Sequence, residues 1–228
     1  MATASISPIR HLRDIDWRQP SVIALILANL VPVFGVLCLH WEVFPLMFLF
    51  WSENLIIGGF NVLKMLANDP SSAGNWILKC FMVPFFCFHY GMFTFIHGVF
   101  VIEMFGGGMH AGRPFPGPGT FWQVMHENQL GWAILGLAVS HGISFATNYI
   151  GKGEYQRIGL PQLMQQPYGR IVVMHLAIIF GGFIMIALHS PTAGLLLLVF
   201  LKILLDLGGH AGERKKVALA LAPATATV

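Results

Sequence analysis

Positions Val43–Leu66 read VFPLMFLFWSENLIIGGFNVLKML, an apolar run whose only charged residues are Glu53 and Lys64. A helix needs about 20 such residues to cross the ~30 Å hydrocarbon core of a bilayer, at a rise of 1.5 Å per residue. This stretch therefore predicts a membrane-spanning helix. Its central Glu53 is costly in hydrocarbon, so the glutamate indicates a functional role or a specific polar partner.

Five further apolar runs surround this one. The predicted spans are Ser21–Leu39, Val43–Leu66, Ile77–Phe105, Leu130–Ile150, Arg170–His189 and Thr192–Leu207. Of the 228 residues, 56% are hydrophobic and 10% are charged, whereas soluble domains carry roughly 25% charged residues. The composition predicts an all-α polytopic bundle of about six transmembrane helices and excludes soluble folds, disorder and disulfide scaffolds.

Basic residues predict the orientation, because lysine and arginine are enriched in cytoplasmic loops. All 13 of them except Arg113 and Lys202 fall on one side of the six-span arrangement. We expect a multi-pass protein of a bacterial inner membrane with both termini in the cytoplasm. The predicted parts are a cytoplasmic segment at 1–20, a membrane domain at 21–210 with a periplasmic loop at 106–129 and a cytoplasmic loop at 151–169, and a cytoplasmic tail at 211–228.

The periplasmic loop begins GGGMHAGRPFPGPG, and its glycines and prolines exclude a regular helix there. Its later part, Thr120–Asn128, is expected to form a short helix in the membrane interface, with Phe121 and Trp122 as aromatic anchors. The loop is either a lid or a connector.

The cysteines and the net charge add little. Cys38, Cys80 and Cys87 form no CxxC pair, so we expect reduced packing residues and no disulfide. The net charge of +3 gives no sign of nucleic-acid binding. The expected partner is the lipid bilayer, with a second copy of the chain or another membrane subunit as further partners.

Ionisable side chains occur within most of the predicted spans, where a charged group costs about 2.5–3.5 kcal/mol to insert. With the 1.5 Å rise, Glu53 lies roughly 15 Å below the periplasmic edge of its span. His89 and His141 lie roughly 17 Å from an edge of theirs, which places all three near the middle of the bilayer.

A carboxylate and imidazoles from separate helices are the ligands that Zn, Fe or Cu take in helical bundles. We therefore predict a transition-metal site, and a metalloprotein of this kind could be a redox or hydrolytic enzyme. The expected ligands are Glu53, His89 and His141, with His97 or His189 as a fourth, and Asn54 and Tyr90 are expected to support them by hydrogen bonds. Haem b held by His89 and His141 is the related alternative.

Two readings without a metal stay open. Glu53, His175 and Asp206 could relay protons in a proton-coupled transporter. Alternatively, the polar residues only join helices by hydrogen bonds, and the chain is a structural membrane subunit. In each case Gly58, Gly59, Gly181 and Gly182 are expected to let helices approach closely.

Two short motifs carry a resemblance to known sequences. These are WSEN at Trp51–Asn54 and HYGMF at His89–Phe93. In spans two to four the chain resembles uncharacterised bacterial integral membrane proteins that are grouped as a domain of unknown function. The resemblance implies a polytopic membrane fold and brings no activity with it.

Overall fold

The computed structural model describes residues 30, 33–69, 73–106, 116–188, 192, 195–197, 199–200 and 203. The chain divides into two compact units. One consists of Met1–His40 and Val199–Val228, and the other is Trp41–Leu198. In the first unit, residues 33–39 are helical and His40 follows them with a positive φ of 58°. Most of the predicted first and sixth spans, and both terminal segments, lie outside the described residues.

The second unit is helical, and its described part contains no strand. The all-α prediction is therefore confirmed for the residues that the structure describes. The α-helices are α1 (Val43–Ala67), α2 (Ala73–Phe105), α3 (Pro118–Glu127), α4 (Gly131–Ser144), α5 (Leu160–Gln165) and α6 (Tyr168–Leu188). A π-helical turn at Phe145–Ile150 continues α4, and a 3-10 turn at Glu154–Gln156 follows it.

Within the described part of the chain, three helical segments are long and apolar enough to cross a membrane: Val43–Ala67, Gly74–Phe105 and Gly131–Ile150. They coincide with the predicted second, third and fourth spans. Helix α2, which contains the second of them, begins at Ala73 rather than at the expected Ile77, so it includes the sequence AGNW. The fifth predicted span corresponds to α6, which has 21 residues.

Helices α1 and α2 pack closely because glycine backbones face aromatic rings. A Cβ added at Gly58 would clash with the Tyr90 ring, and one added at Gly98 would lie 2.6 Å from Cε2 of Trp51. Indole Nε1 of Trp51 donates to the carbonyl of Thr94 at 2.7 Å. The expected close approach is thus confirmed at Gly58, whereas Gly59 faces open space.

The turn between α1 and α2 docks on the segment that follows α4. Asn68 donates through Nδ2 to the carbonyls of Tyr155 at 3.0 Å and Ile158 at 2.6 Å. Lys79 is only 2% exposed, and its ammonium donates to the carbonyls of Leu66 and Asn68 at the end of α1. A basic residue that the sequence assigned only to topology is therefore a buried helix cap.

The helix predicted in the 106–129 loop is present as α3, which begins two residues earlier than expected. Its two aromatic residues differ in their surroundings. Phe121 stacks on Trp51 with the ring centroids 4.9 Å apart, whereas Trp122 is 67% exposed. Phe121 thus anchors α3 to α1, and only Trp122 is free to act as the expected interface anchor.

The outer surfaces of the helices are apolar. Helix α4 has no buried residue, and Trp132, Val139 and Ile143 are among its exposed side chains. Exposed large apolar side chains on several helices are expected where lipid replaces water as the solvent. The cysteines are all free, as expected, but each of Cys38, Cys80 and Cys87 is exposed rather than packed.

Candidate functional site

Glu53 is the centre of a cluster that joins three helices. Its Oε2 lies 2.8 Å from Nη2 of Arg170 on α6, and its Oε1 lies 3.6 Å from Nε2 of His141 on α4. The Glu53 side chain is 15% exposed, so its charge is largely removed from solvent. The two carboxylate oxygens thus have different partners on different helices.

Arg170 reaches this cluster because of where α6 begins. The helix starts directly after Pro167, whose carbonyl accepts the Arg170 N–H at 3.2 Å. Arg170 therefore lies in the first helical turn rather than at the outer edge of the span. The sequence analysis used Arg170 only to assign topology; the signal for its role was a single arginine that precedes an apolar run while a neighbouring span contains an acid.

A small polar cavity adjoins this cluster. Its volume is about 110 Å³, and its polar lining consists of Asn61, Lys64, His141, Ser144, Gln166 and Arg170. The lining comes from α1, α4 and the start of α6, and it contains two basic residues and no carboxylate among the described residues. The Tyr149 hydroxyl donates a hydrogen bond to the Lys64 carbonyl at 2.8 Å, which fixes the backbone of α1 beside the cavity.

His89 has a different partner from the one expected. Its Nδ1 lies 2.8 Å from the hydroxyl of Tyr168 at the start of α6. The rings of Phe85 and Phe93, at centroid distances of 5.3 and 5.1 Å, pack against the imidazole from its own helix. His89 therefore joins α2 to α6 through its contact with Tyr168, and the two phenylalanine rings of α2 pack against its imidazole.

His97 pairs with a second histidine. Its Nε2 lies 2.9 Å from Nδ1 of His175 on α6, and the His97 side chain is buried. Both imidazoles line an apolar cavity of about 270 Å³, together with Met104 and the rings of Phe100 and Phe183. Nothing in the sequence indicates that these two histidines pair, because the sequence does not determine the rotation of α6 relative to α2.

The structure does not support a metal shell made of Glu53, His89 and His141. It brings Glu53 and His141 together, but it pairs His89 with Tyr168 and His97 with His175. Among the described residues, no group of three or more His, Cys, Asp or Glu side chains could hold a metal ion. His189, the other expected ligand, lies outside the described residues.

The physical reason is helix rotation. Equal depth in the bilayer places residues at one level, but the direction in which each side chain points depends on how the helices pack. The two expected supporting residues do lie together, since the Tyr90 hydroxyl donates to the Asn54 carbonyl at 2.9 Å. That bond joins α1 to α2 beside Glu53.

Comparison with known proteins places the chain among proteins without an assigned activity. A family model described as "Family of unknown function (DUF6498)" matches residues 11–222. No curated protein matches the chain. No solved structure matches it either.

Proposed function

The chain belongs to the family of unknown function DUF6498, and we propose that it is a multi-pass membrane protein that couples proton transfer to solute transport. The proposed arrangement has six spans and both termini in the cytoplasm of a bacterium, with the chain in the inner membrane. The observation that carries the proposal is the position of Glu53 between Arg170 and His141.

A carboxylate held between a guanidinium and an imidazole can act as a proton switch. Protonation removes the charge that holds Arg170, so the contact between α1 and α6 weakens. His141 is the nearest proton donor or acceptor in the cluster, at 3.6 Å. Because the three groups sit on three helices, a change of protonation at Glu53 alters the packing of all three.

Of the relay residues that the sequence suggested and the structure describes, Glu53 enters this cluster. His175 pairs with His97 instead, and Asp206 lies outside the described residues. In the proposal, Glu53 and His141 are therefore the proton-carrying pair. Lipid contacts the apolar outer face of α4.

Proton flux into liposomes tests the proposal. The purified protein is reconstituted in liposomes that contain a pH-sensitive dye, a mixture of small anionic and neutral solutes is supplied outside, and a potassium gradient with valinomycin sets the membrane potential. We expect Glu53→Gln to reduce dye acidification by about tenfold or more, because it removes the positioned proton carrier. Glu127→Gln, which alters an exposed glutamate on α3, is the matched control and should match the wild type. Wild-type flux no greater than that of empty liposomes would refute the proposal.

A second candidate function rests on the histidine pair. We propose that His97 and His175 bind a transition metal together with Met104, which lines the same cavity. Two metal–nitrogen bonds of 2.0–2.1 Å at a tetrahedral angle separate the nitrogens by about 3.3 Å, so the observed 2.9 Å requires only a small shift. A thioether beside two imidazoles favours copper over zinc.

Metal analysis tests the second candidate. Protein purified without chelators and incubated with Cu(I) or Zn(II) is expected to retain about one equivalent, and His175→Ala should lose it. His126→Ala, on the exposed face of α3, is the control. A Soret band in the purified protein would indicate haem b, the alternative that the sequence suggested for His89 and His141, and would count against a bare metal ion at His97 and His175. Retention that is the same in His175→Ala and the wild type would rule out this site.

A further inference from the structure

We infer that the polar cavity between α1, α4 and α6 binds a small oxyanion, such as a carboxylate or a tetrahedral phosphate or sulfate ion. We also infer that this anion is the solute that the protein transports. That second statement rests on the transport function proposed above, whereas the binding site itself does not. The inference is based on the position of Lys64 and Arg170, which both line the same cavity. No carboxylate is among the described residues that line it.

The charge of the cavity wall favours an anion. Arg170 has five N–H donors, and the bond to Glu53 occupies Nη2, so a carboxylate and a second anion can share one guanidinium. Lys64 is half-buried, and its ammonium lies 5.5 Å from the centroid of the Tyr149 ring. That ring limits the directions in which the lysine can point.

Neutral groups in the wall supply further hydrogen bonds. Asn61 is 4% exposed, and its Nδ2 donates to the sulfur of Met65 at 3.9 Å, a weak acceptor that an anion can displace. Gln166 and Ser144 add an amide and a hydroxyl. Charged and neutral donors together can satisfy the several lone pairs of an oxyanion, and the two cations form the stronger of these hydrogen bonds.

The dimensions of the cavity limit the ligand. Its volume of about 110 Å³ lies well below the roughly 300–1,000 Å³ of pockets for drug-sized ligands. The space suits an ion of a few heavy atoms rather than a nucleotide or a sugar phosphate. A lipid phosphate group presents the same chemistry, so the experiment must separate a free ion from a headgroup.

Equilibrium binding tests the inference without any transport. The wild type is placed in nanodiscs of phosphatidylcholine, and sodium sulfate, phosphate or acetate is titrated by calorimetry at constant chloride. We expect saturable binding of at least one anion, weakened about tenfold by Lys64→Gln because a unit charge is lost at close range. Lys64→Arg should retain binding because it keeps the charge. Thermal unfolding of Lys64→Gln at the wild-type temperature shows that its loss of binding is not a loss of folding.

Lys152→Gln is the matched control, since Lys152 is an exposed lysine outside the cavity, and it should bind like the wild type. Nanodiscs with phosphatidylglycerol separate the two sources. A site for a free ion keeps its affinity in these nanodiscs. The inference would be overturned if no free anion bound saturably and phosphatidylglycerol were instead enriched around the protein in a way that depends on Lys64. Equal binding by Lys64→Gln and the wild type would also overturn it. Anion binding in a protein without proton flux would leave the site in place and refute only the transport function.

Discussion

Arg170 on α6 and Glu53 on α1 form an ion pair with Nη2 and Oε2 separated by 2.8 Å. The glutamate is mostly shielded, while about a third of the arginine side chain is accessible. This pair joins the start of one helix to the middle of another. Arg170 also lines the polar cavity, so the ion pair holds one of the two basic residues of the cavity wall.

Loss of the arginine should destabilise the fold, because it leaves the shielded carboxylate without its guanidinium partner. We expect Arg170→Gln to lower the free energy of unfolding in detergent by about 1–3 kcal/mol. The double variant with Glu53→Gln should recover most of that loss, since neither charge is then left alone. Equal stability of the single and double variants would show that the pair is not energetically coupled.

Two adjacent glycines on α1 should respond in opposite ways to alanine. Gly58→Ala places a methyl group against the Tyr90 ring and is expected to cost about 1–3 kcal/mol, because the ring or the helix must shift. Gly59→Ala meets open space and should be neutral or gain up to about 1 kcal/mol from helix propensity. Thermal unfolding of the two variants decides this, and an equal loss in both would contradict the packing described for α1 and α2.

The buried lysine of α2 should contribute to stability rather than to function. Lys79→Met removes the cap from the carbonyls of Leu66 and Asn68, which we expect to cost about 1–3 kcal/mol. Thermal unfolding of the solubilised protein measures the loss. Lys152→Met serves as the comparison, because Lys152 is exposed. A variant of Lys79 as stable as that of Lys152 would mean that the cap is dispensable.

The position of α3 should depend on one aromatic contact. Phe121→Ala removes the ring that stacks on Trp51, so α3 should detach and the 106–129 loop should become more sensitive to protease. Trp122→Ala, at an exposed position, should leave cleavage unchanged. Limited proteolysis followed by mass spectrometry measures both. If Trp122→Ala increased cleavage and Phe121→Ala did not, Trp122 rather than Phe121 would be the residue that anchors α3.

The sequence predicted the helices better than it predicted their contacts. Hydropathy located the second, third and fourth spans to within a few residues, because length and apolar composition are set by the bilayer. The start of α2 shows the limit of that signal, because the helix begins at Ala73, four residues before the predicted span, in a stretch that contains glycine and asparagine.

Contacts between helices depend on rotation, which hydropathy does not encode. The depth of Glu53, His89 and His141 suggested one shared site, but only Glu53 and His141 face each other. Tyr168 falls in the predicted 151–169 loop, and Arg170 falls at the predicted edge of the fifth span, so neither was expected at a helix contact. Because α6 begins at Tyr168, both become parts of the helix interface.

The central claim is that Glu53 gains and loses a proton within the membrane domain. Infrared difference spectroscopy of the reconstituted protein at two pH values measures this directly, through the carbonyl stretching band of a protonated carboxylic acid. We predict such a band in the wild type and in Glu127→Gln, and its loss in Glu53→Gln. A band that persists unchanged in Glu53→Gln would contradict the account.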